Sequence, residues 1–451
     1  MKRHLCIGCG VCAGVCPSGR LAVNLAEDGC YRVNSDHYAC SSKCAVCESV
    51  CPFGYSTVNE DDIGRMFFAD QPGIKHNDAC GYYLSSVVGS CSDLHSRLNG
   101  ASGGLVTAFL KQILSEGIAD KVACVAGTSG GDRLFGYTIL DAPDKLDSAA
   151  KSAYYPVEIS DVLREIIAND AKYAIVCLPC IAKAIRLAQM RLPVLRDRIV
   201  VIAGLVCGHS VSTYFADYVA SLAGAPVGSV SQVTFRIKTP SLPAGEFGTL
   251  VRWVDENGKI SENTVFWSQG VGEAWTGHWF TPEPCFFCDD VFAECADISF
   301  MDAWLPEFAQ DYRGTSIAII RSERAKTAVE KAVAEGHMAL SSIDLTRVLE
   351  SQRDVIEFKS VRLAHRLWSA SRRRHDILAK RVVPYKVKDW RAEMQWNAQV
   401  YRSRSGIQLW NKRISTESFQ SQMRAIQGHA PIGVQARGWA RGLLNRLHFV
   451  F

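Results

Sequence analysis

Two closely spaced cysteine runs near the N-terminus constrain this chain more than any other feature of its sequence. The first run has the spacing C-x2-C-x2-C-x3-C followed by proline, and its members are Cys6, Cys9, Cys12 and Cys16. Three thiolates on so short a loop can bind one face of a cubane iron–sulfur cluster, while the fourth cysteine reaches a different cluster. Gly8 and Gly10 permit the tight loop that this wrapping needs.

The second run has one extra residue in its first gap and also ends in Cys-Pro; its members are Cys40, Cys44, Cys47 and Cys51. In proteins with two such runs the fourth cysteine of each run binds the other cluster. The sequence therefore predicts one [4Fe–4S] cluster on Cys6, Cys9, Cys12 and Cys51, and a second on Cys40, Cys44, Cys47 and Cys16. Zinc sites are the alternative. A zinc site needs only four sulfurs in a tetrahedron, however, and does not require two runs of cysteines that each end in Cys-Pro. Residues 1–60 resemble a bacterial-type 2[4Fe–4S] ferredoxin domain.

The cysteine content and the distribution of charge limit the classes of protein to which this chain can belong. The chain has 18 cysteines but shows no apolar N-terminal segment typical of a secretion signal, so metal ligation is a better interpretation than a disulfide framework. No apolar stretch of about 18 residues occurs, and we expect a cytoplasmic protein without a transmembrane helix. The tail 361–451 contains 18 Lys or Arg and 4 Asp or Glu in a chain of net charge +4, so the preceding body is acidic.

The middle of the chain alternates short apolar runs with amphipathic segments. Strands are predicted at Lys121–Gly127, Tyr173–Leu178, Arg198–Val206 and Thr315–Ile320, and helices at Leu105–Glu116, Ile181–Met190, Ser212–Leu222 and Ala325–Glu335. Residues 231–267 alternate with period two and contain a hairpin turn at Asn257-Gly258. The predicted fold class is an α+β ferredoxin-like module, then an α/β layered body over residues 80–340 with an antiparallel β insertion, then a mostly helical basic tail over residues 360–451.

Four further cysteines have a pattern that predicts a third cluster. Cys180 follows one predicted strand, Cys207 follows the next, and Cys285 and Cys288 form a C-x2-C pair. Because the carboxyl ends of neighbouring parallel strands meet at one edge of a sheet, these thiols can converge there. Buried structural cysteines are the alternative. The remaining body and linker cysteines are interpreted as ordinary thiols, namely Cys30, Cys80, Cys91, Cys124 and Cys295.

A glycine pair opens the first helix of the body, in the sequence Ser102-Gly103-Gly104. Backbone N–H groups at a helix N-terminus attract anions, so a flavin pyrophosphate would suit this turn. A plain helix cap and turn explains the same residues without a ligand.

Taken together, these motifs resemble the beta-subunit family of coenzyme F420 hydrogenases and dehydrogenases. The resemblance covers residues 80–340 and depends on the segments Ala101-Ser-Gly-Gly-Leu-Val-Thr-Ala, Leu178-Pro-Cys180, Leu205-Val-Cys207, Phe235-Arg-Ile-Lys238 and Cys285-x2-Cys288-Asp, followed by Ala296-Asp-Ile-Ser-Phe-Met-Asp302. It implies a flavoprotein that binds FAD at Ser102, Gly103 and Gly104, beside a [4Fe–4S] cluster held by Cys180, Cys207, Cys285 and Cys288.

The chain departs from the family pattern at three places. Cys177 stands where the family has glycine and is a competing ligand. His209, the candidate catalytic residue, is displaced by one position, because Cys-His-Gly becomes Cys207-Gly-His209. The family's Ser-Lys-Tyr becomes Ser152-Ala153-Tyr154, which removes a lysine. These changes bear on substrate and deazaflavin binding more than on cluster binding. A histidine beside a cluster can equally serve only as a hydrogen-bonding neighbour.

The resulting hypothesis is an iron–sulfur flavoprotein oxidoreductase with two or three [4Fe–4S] clusters and FAD. Its electron donor would be a ferredoxin or a deazaflavin, and its small-molecule substrate would come from polysaccharide biosynthesis, by family association. An electron-relay subunit without its own substrate and a metal-stabilised interaction protein are the alternatives. The Arg-rich tail carries no nucleic-acid recognition motif. It could contact the inner face of a membrane, an acidic partner, or the acidic body of this chain.

Overall fold

The N-terminal part of the chain combines short helices with two small hairpins. The structure, a computed structural model, describes residues 5–35, 44–54, 58–128, 133–255, 257–373 and 380–427. The N-terminal elements are α1 (Val11–Gly14), β1 (Leu21–Leu25), β2 (Tyr31–Ser35), α2 (Val46–Ser49), α3 (Glu60–Phe68), β3 (Lys75–Asn77) and β4 (Gly81–Tyr83). Strands β1 and β2 pair in antiparallel fashion, as do β3 and β4. Cys40 lies outside the described residues, so the ferredoxin fold of this part stays a prediction.

An eight-stranded sheet forms the centre of the body. Its strands are β5 (Ser85–Cys91), β6 (Lys121–Gly127), β7 (Phe135–Leu140), β8 (Tyr173–Cys177), β9 (Ile199–Leu205), β13 (Ile298–Asp302), β14 (Ser316–Ile320) and β15 (Met338–Ser342), in the order β15-β5-β14-β13-β9-β8-β6-β7. The central neighbours β6, β8, β9 and β13 are parallel, whereas β7, β14, β5 and β15 join by antiparallel pairing. The sheet is therefore mixed, with its parallel strands in the middle.

Helices cover both faces of this sheet. They include α4 (Leu94–Asn99), α5 (Leu105–Ser115), α6 (Ser160–Ala168), α7 (Pro179–Arg191), α8 (Pro193–Arg198) and α11 (Glu323–Ala334). Strand β8 shows the two-sided burial: Tyr173 and Ile175 pack with α6 and α7, while Ala174 and Val176 pack with α5 and α11. Successive side chains of a strand point to opposite faces, and a run buried on both faces reads as continuously apolar.

A separate three-stranded antiparallel sheet lies beside helix α9 (Thr213–Leu222). Its strands are β10 (Val230–Ile237), β11 (Gly248–Val254) and β12 (Ile260–Phe266), followed by a π-helical turn at Trp267–Val271 and helix α10 (Gly272–Thr276). This sheet confirms the antiparallel insertion that the period-two pattern predicts. The short connection between β11 and β12 contains Gly258, whose φ of +76° is a backbone conformation that favours glycine.

The C-terminal part is helical and folds back onto the body. Its helices are α12 (Leu345–Ser351), α13 (Arg353–Lys359), α14 (Val361–Arg373) and α15 (Trp390–Trp410), and residues 416–427 are helical too. Phe419 is buried against Trp279 and Phe280, and Gly406 lies directly against the backbone of Trp279. This part of the tail therefore docks on the chain's own body. Residues 428–451, including the predicted amphipathic end at Trp439, lie outside the described range. None of the described helices is long and apolar enough to span a membrane.

The N-terminal cysteine region shares one apolar core with the body. Cys9, Val11 and Cys12 are buried in the same cluster as Ile159 and Leu163 at helix α6. The backbone adds to this contact, since the Ile159 N–H donates to the Cys9 carbonyl at 3.0 Å. The first cysteine run is thus held in place by the body rather than by local structure alone.

The predicted strands and helices of the body are present, but the sheet differs from the expected one in strand direction and in strand number. Neighbouring strands β13 and β14 run in opposite directions, and strands β5, β7, β13 and β15 are additional to those expected from the sequence. The segment between β13 and β14 contains only the 3₁₀ turn Pro306–Phe308. A parallel pairing needs a long crossover, so a connection without a covering helix produces an antiparallel pair.

Gly10 offers a direct test of the docking between the first cysteine run and helix α6. Its φ is +80°, and a Cβ there would lie 2.5 Å from Glu158 Oε2 and 3.0 Å from the Ser160 nitrogen. We expect Gly10→Ala to lower the free energy of unfolding by about 2–4 kcal/mol, because left-handed strain adds to steric overlap.

Gly19→Ala is the matched control. Gly19 also has a positive φ, +65°, but an added Cβ would meet no atom within 4 Å. Strain alone should cost about 1–2 kcal/mol. Equal losses of stability in the two variants, measured by thermal unfolding, would contradict the docked arrangement.

Candidate functional site

The first predicted cluster set is brought together in the structure. Burial, together with the charges of Cys51 and Cys6, raises the pKa of the Cys12 thiol to about 12. Burial likewise raises the pKa of Cys51 to about 11, with Cys6 again adding to the rise. Burial raises the pKa of Cys9 as well, and the charges of Cys12, Cys51 and Cys6 add to this rise. Effects of this kind require nearby thiols, so Cys6, Cys9, Cys12 and Cys51 lie near one another, and Cys47 of the second set lies near them too.

The second predicted set is only partly described. Cys44 and Cys47 lie at and near helix α2 with partly exposed side chains, and Cys47 adds to the rise of the pKa of Cys12 and Cys51. The Cys16 thiol contacts the Ser18 hydroxyl at 3.3 Å. Because Cys40 lies outside the described residues, this set stays a prediction.

The four body cysteines form a second group at the carboxyl edge of the parallel strands. Cys180 lies in the first turn of α7, directly after β8, and Cys207 follows the neighbouring parallel strand β9. Burial raises the pKa of the Cys180 thiol well above its usual value, and three partners, Cys288, Cys207 and Cys285, raise it further. We call Cys180, Cys207, Cys285 and Cys288 the inner cysteine group.

The two groups are neighbours. Cys9 is among the thiols whose charge raises the pKa of Cys180. The competing candidate, Cys177, lies at the end of β8; burial raises its pKa, and the nearby charges acting on it belong to Arg186 and Asp290. The other cysteines with raised pKa include Cys124, for which burial is the whole cause. Proximity of other thiols therefore distinguishes the predicted ligands from Cys124, whereas Cys30 also lies near a predicted ligand, Cys6.

Both groups suit a cubane by the chemistry of their donors. Clustered buried thiols raise one another's pKa, and a bound metal reverses this effect by stabilising the thiolates. No set of three or more His, Cys, Asp or Glu within the described ranges is arranged to hold a single metal ion. A cubane binds each thiolate at a different iron, so it does not need four sulfurs to converge on one point.

Hydrogen-bond donors surround the sulfurs of the inner cysteine group. The Ser210 N–H donates to Cys285 Sγ at 3.3 Å, and Lys359 Nζ donates to Cys288 Sγ at 3.4 Å. Lys359 is buried, yet the anionic neighbours Cys288 and Cys207 raise its pKa despite the opposing effect of burial. Donors aimed at ligand sulfurs are part of what sets the properties of an iron–sulfur site.

Buried ion pairs fix the loop that carries Cys285 and Cys288. Lys380 Nζ lies 2.9 Å from Asp289 Oδ1, with both side chains almost fully buried. Arg381 pairs with Glu294 at 2.7 Å and with Asp61 of helix α3 at 3.0 Å. The basic tail, the cysteine loop and the N-terminal region thus meet in one ionic network. Of the contacts considered for the tail, the one with the chain's own body is found here.

His209 lies between the inner cysteine group and a set of aromatic rings. Its Nδ1 is 3.1 Å from Thr281 Oγ1, and its ring centroid is 4.3 Å from that of Trp275. Burial lowers the pKa of His209 to about 4, so the imidazole is neutral near pH 7. The ring of Trp275 in turn packs at a tilt against that of Tyr154, with 4.6 Å between centroids, and the Tyr154 hydroxyl is 3.5 Å from Arg236 Nη1. Packed side chains therefore connect the inner cysteine group to Arg236.

Arg236 lines a cavity of about 390 Å³ at the same edge of the sheet. Its walls are mainly apolar and aromatic, and include Ser102, Phe247, Trp304, Phe308 and Tyr312. Arg236 is paired with Asp302 at 2.6 Å and lies 4.1 Å over the ring of Phe247. A mostly apolar cavity with a few polar groups suits a flat organic ring such as a flavin.

The predicted phosphate-binding turn has a packing explanation in this structure. The Gly103 N–H donates to Ser316 Oγ at 2.9 Å, and a Cβ on Gly103 would lie 2.7 Å from the Gly89 carbonyl oxygen. A Cβ on Gly104 would lie 2.6 Å from Cys91 Sγ. Ser102 lines the cavity, so of the three predicted FAD residues it is the one placed to contact a ligand there.

Lys238, the last residue of the Phe235-Arg-Ile-Lys motif, binds backbone groups of its own chain. Its Nζ donates to three backbone carbonyls, those of Arg97, Ser102 and Arg313, at 2.5, 2.5 and 2.7 Å. Burial lowers its pKa to about 7, with the charge of Lys151 adding to the effect. Lys238 therefore positions the Ser102 turn rather than a ligand.

Three residues of this site carry no recognisable signal in the sequence. Lys359 lies 71 residues beyond Cys288, and Lys380 and Arg381 belong to a tail interpreted only by its overall charge. Their role depends on long-range folding of the chain. Asp289, directly after Cys288, offered the one local hint, because a carboxylate beside a cysteine pair needs a cation when it is buried.

Comparison with known proteins identifies the family. The family models for the coenzyme F420 hydrogenase/dehydrogenase beta subunit match twice: the model of its N-terminal part matches residues 87–164, and that of its C-terminal part matches residues 170–346. No curated protein matches the sequence. A chain of the F420-reducing [NiFe] hydrogenase complex from Methanosarcina barkeri is 20% identical, with 65% of this chain and 96% of that chain covered and a TM-score of 0.48. The two matched regions span more than half of the sequence and contain all of the inner cysteine group, and the chain belongs to the coenzyme F420 hydrogenase/dehydrogenase beta-subunit family.

Proposed function

We propose that this chain is an iron–sulfur flavoprotein oxidoreductase that takes electrons from a ferredoxin-type or deazaflavin donor and delivers them to an organic substrate. The hydrogenase/dehydrogenase family supports an electron-transfer oxidoreductase. One observation carries the more specific proposal: Cys9 and Cys180, one thiol from each group, pack in the same apolar cluster. Electron transfer needs redox centres that are close neighbours, and adjacent ligand sets supply that arrangement.

In this proposal the residues have distinct roles. Cys6, Cys9, Cys12 and Cys51 would hold one [4Fe–4S] cluster, Cys16, Cys40, Cys44 and Cys47 a second, and the inner cysteine group a third. When bound, cubanes carry single electrons, and a flavin collects two and delivers them together. The cavity beside Ser102 would hold the flavin ring of FAD against Phe247 and Trp304.

Residues between the cavity and the inner cysteine group keep water out of this region. Tyr154, Trp275 and His209 pack ring against ring from Arg236 to the segment that holds Cys285. Thr281 holds the His209 imidazole in place, and burial lowers the pKa of His209. We therefore propose that His209, held by Thr281, has a positioning role in place of the catalytic role for which the sequence made it a candidate. A sugar intermediate, suggested by family association, is the first substrate class to test.

Cys180→Ala tests the inner site. We expect the variant to lose four iron atoms and four sulfides per chain, and reduction of bound flavin by reduced ferredoxin, followed by stopped-flow absorbance, to slow by about tenfold or more. Cys124→Ala is the matched control, because Cys124 is equally a buried thiol but stands apart from both groups. Unchanged flavin reduction in Cys180→Ala would refute the proposed role of the inner group.

Gly245→Phe tests the cavity. Gly245 lines it, and an added Cβ would have only Trp304 within 4 Å, at 3.9 Å, so a phenyl ring can fill the space. We expect bound flavin, measured by absorbance after release from the protein, to fall at least severalfold while iron stays constant, because the ring occupies volume that the flavin needs.

Gly127→Phe is the corresponding control. Gly127 is exposed at the end of β6, where an added Cβ would have only a backbone oxygen within 4 Å, at 3.9 Å. Full flavin content in both variants would place the flavin elsewhere. Flavin loss in the control alone would exclude the cavity as its site.

A further inference from the structure

A buried ammonium group lies directly beside the inner cysteine group. Lys359 is the last residue of α13, and its side chain is nearly inaccessible, with 2% of the residue exposed. Its Nζ lies 3.4 Å from Cys288 Sγ and donates to the Asp290 carbonyl oxygen at 2.6 Å. The lysine is therefore anchored by the backbone in a position that aims an N–H at a predicted ligand sulfur.

The partners of Lys359 differ from those of the other buried cations around this loop. Lys380 and Arg381 each form a direct ion pair, with Asp289 and Glu294 respectively. Within the described residues, Lys359 forms no such ion pair with a carboxylate. A buried cation without a counter-ion is costly, so its charge needs a nearby negative group. The groups that can supply it are the Asp290 carboxylate, which is also buried nearby, and the Cys288 sulfur as a cluster ligand, 3.4 Å from Nζ.

We propose that Lys359 raises the reduction potential of the [4Fe–4S] cluster held by Cys180, Cys207, Cys285 and Cys288. This inference rests on the proposed function, which assigns a cluster to these residues. Reduction adds one negative charge to a cubane, and a fixed cation stabilises the reduced form more than the oxidised form. The hydrogen bond to Cys288 Sγ acts in the same direction, because it withdraws electron density from a ligand sulfur.

The positive charge beside the inner cysteine group comes from the C-terminal segment of the chain, to which Lys359 belongs. The family-matched regions end at residue 346, so the ammonium comes from beyond them. Helix α13 also packs on the other side of the site, where Val355 lies against Gly208, next to Cys207. The C-terminal segment thus places a positive charge beside ligands that belong to the family domain. It can therefore change the reduction potential of the cluster while the ligands stay the same.

The test is a redox titration of the native protein and of Lys359→Gln, monitored by the electron paramagnetic resonance signal of the inner cluster and by iron content. We expect Lys359→Gln to keep the cluster but to make its reduction at least tenfold less favourable, a shift of about 59 mV to lower potential for a one-electron couple. Lys359→Arg keeps the charge and should therefore keep the reduction potential close to that of the native protein. Lys326→Gln removes a charge from the partly exposed helix α11 and should leave the potential unchanged.

The outcomes are distinguishable. An inner cluster with unchanged potential in Lys359→Gln would overturn the inference and leave the proposed function intact. If Lys359→Gln loses the inner cluster while Lys359→Arg keeps it, the lysine serves cluster assembly and the tuning role is overturned. If Lys359→Gln does not fold, Lys359→Met takes its place with the same expected shift. A native protein without an inner cluster signal would instead contradict the proposed function itself.

Discussion

Bringing thiols together inside a protein is the constraint on which the rest of this structure depends. Cys12 and Cys180, one thiol from each group, are harder to ionise because they are buried and because neighbouring thiols carry the same charge. The chain meets this difficulty with positive charge and with N–H donors. Lys359 and the Ser210 N–H lie at the sulfurs, and iron would supply the larger part of the positive charge. The sheet, the loops and the tail can all be understood as the scaffold for this arrangement.

The ionic network below the Cys285–Cys288 loop shows how distant parts of the chain contribute. Glu60 and Asp61 come from α3, Asp289 from the loop, and Lys380 and Arg381 from the tail. Such buried pairs are weak sources of net stability, because desolvation offsets most of their attraction. Removal of one partner is expensive, however, and the network therefore specifies one arrangement of three segments. The loop that carries two inner cysteines is fixed by this means.

The sequence predicted much of the body because local patterns decide it. Strands β8 and β9 are apolar runs followed by Cys180 and Cys207, and the edge at which parallel strands end explains why these thiols meet. The mixed direction of the sheet was not expected, because strand direction depends on the connection rather than on composition. The contacts of Lys359 could not be read from the sequence, because only the folded chain brings α13 to Cys288. Gly103 and Gly104 illustrate the reverse case, in which a motif suggestive of a ligand also has a close-packing reason.

The central claim is that twelve cysteines hold three cubane clusters in one chain. Iron and acid-labile sulfide, determined per chain on protein purified without oxygen, test it most directly. The account predicts twelve of each, four for every cluster. Eight of each would mean that one of the three sites holds no cubane, and if the missing cluster is the inner one, the link between the N-terminal cysteines and the cavity would fail.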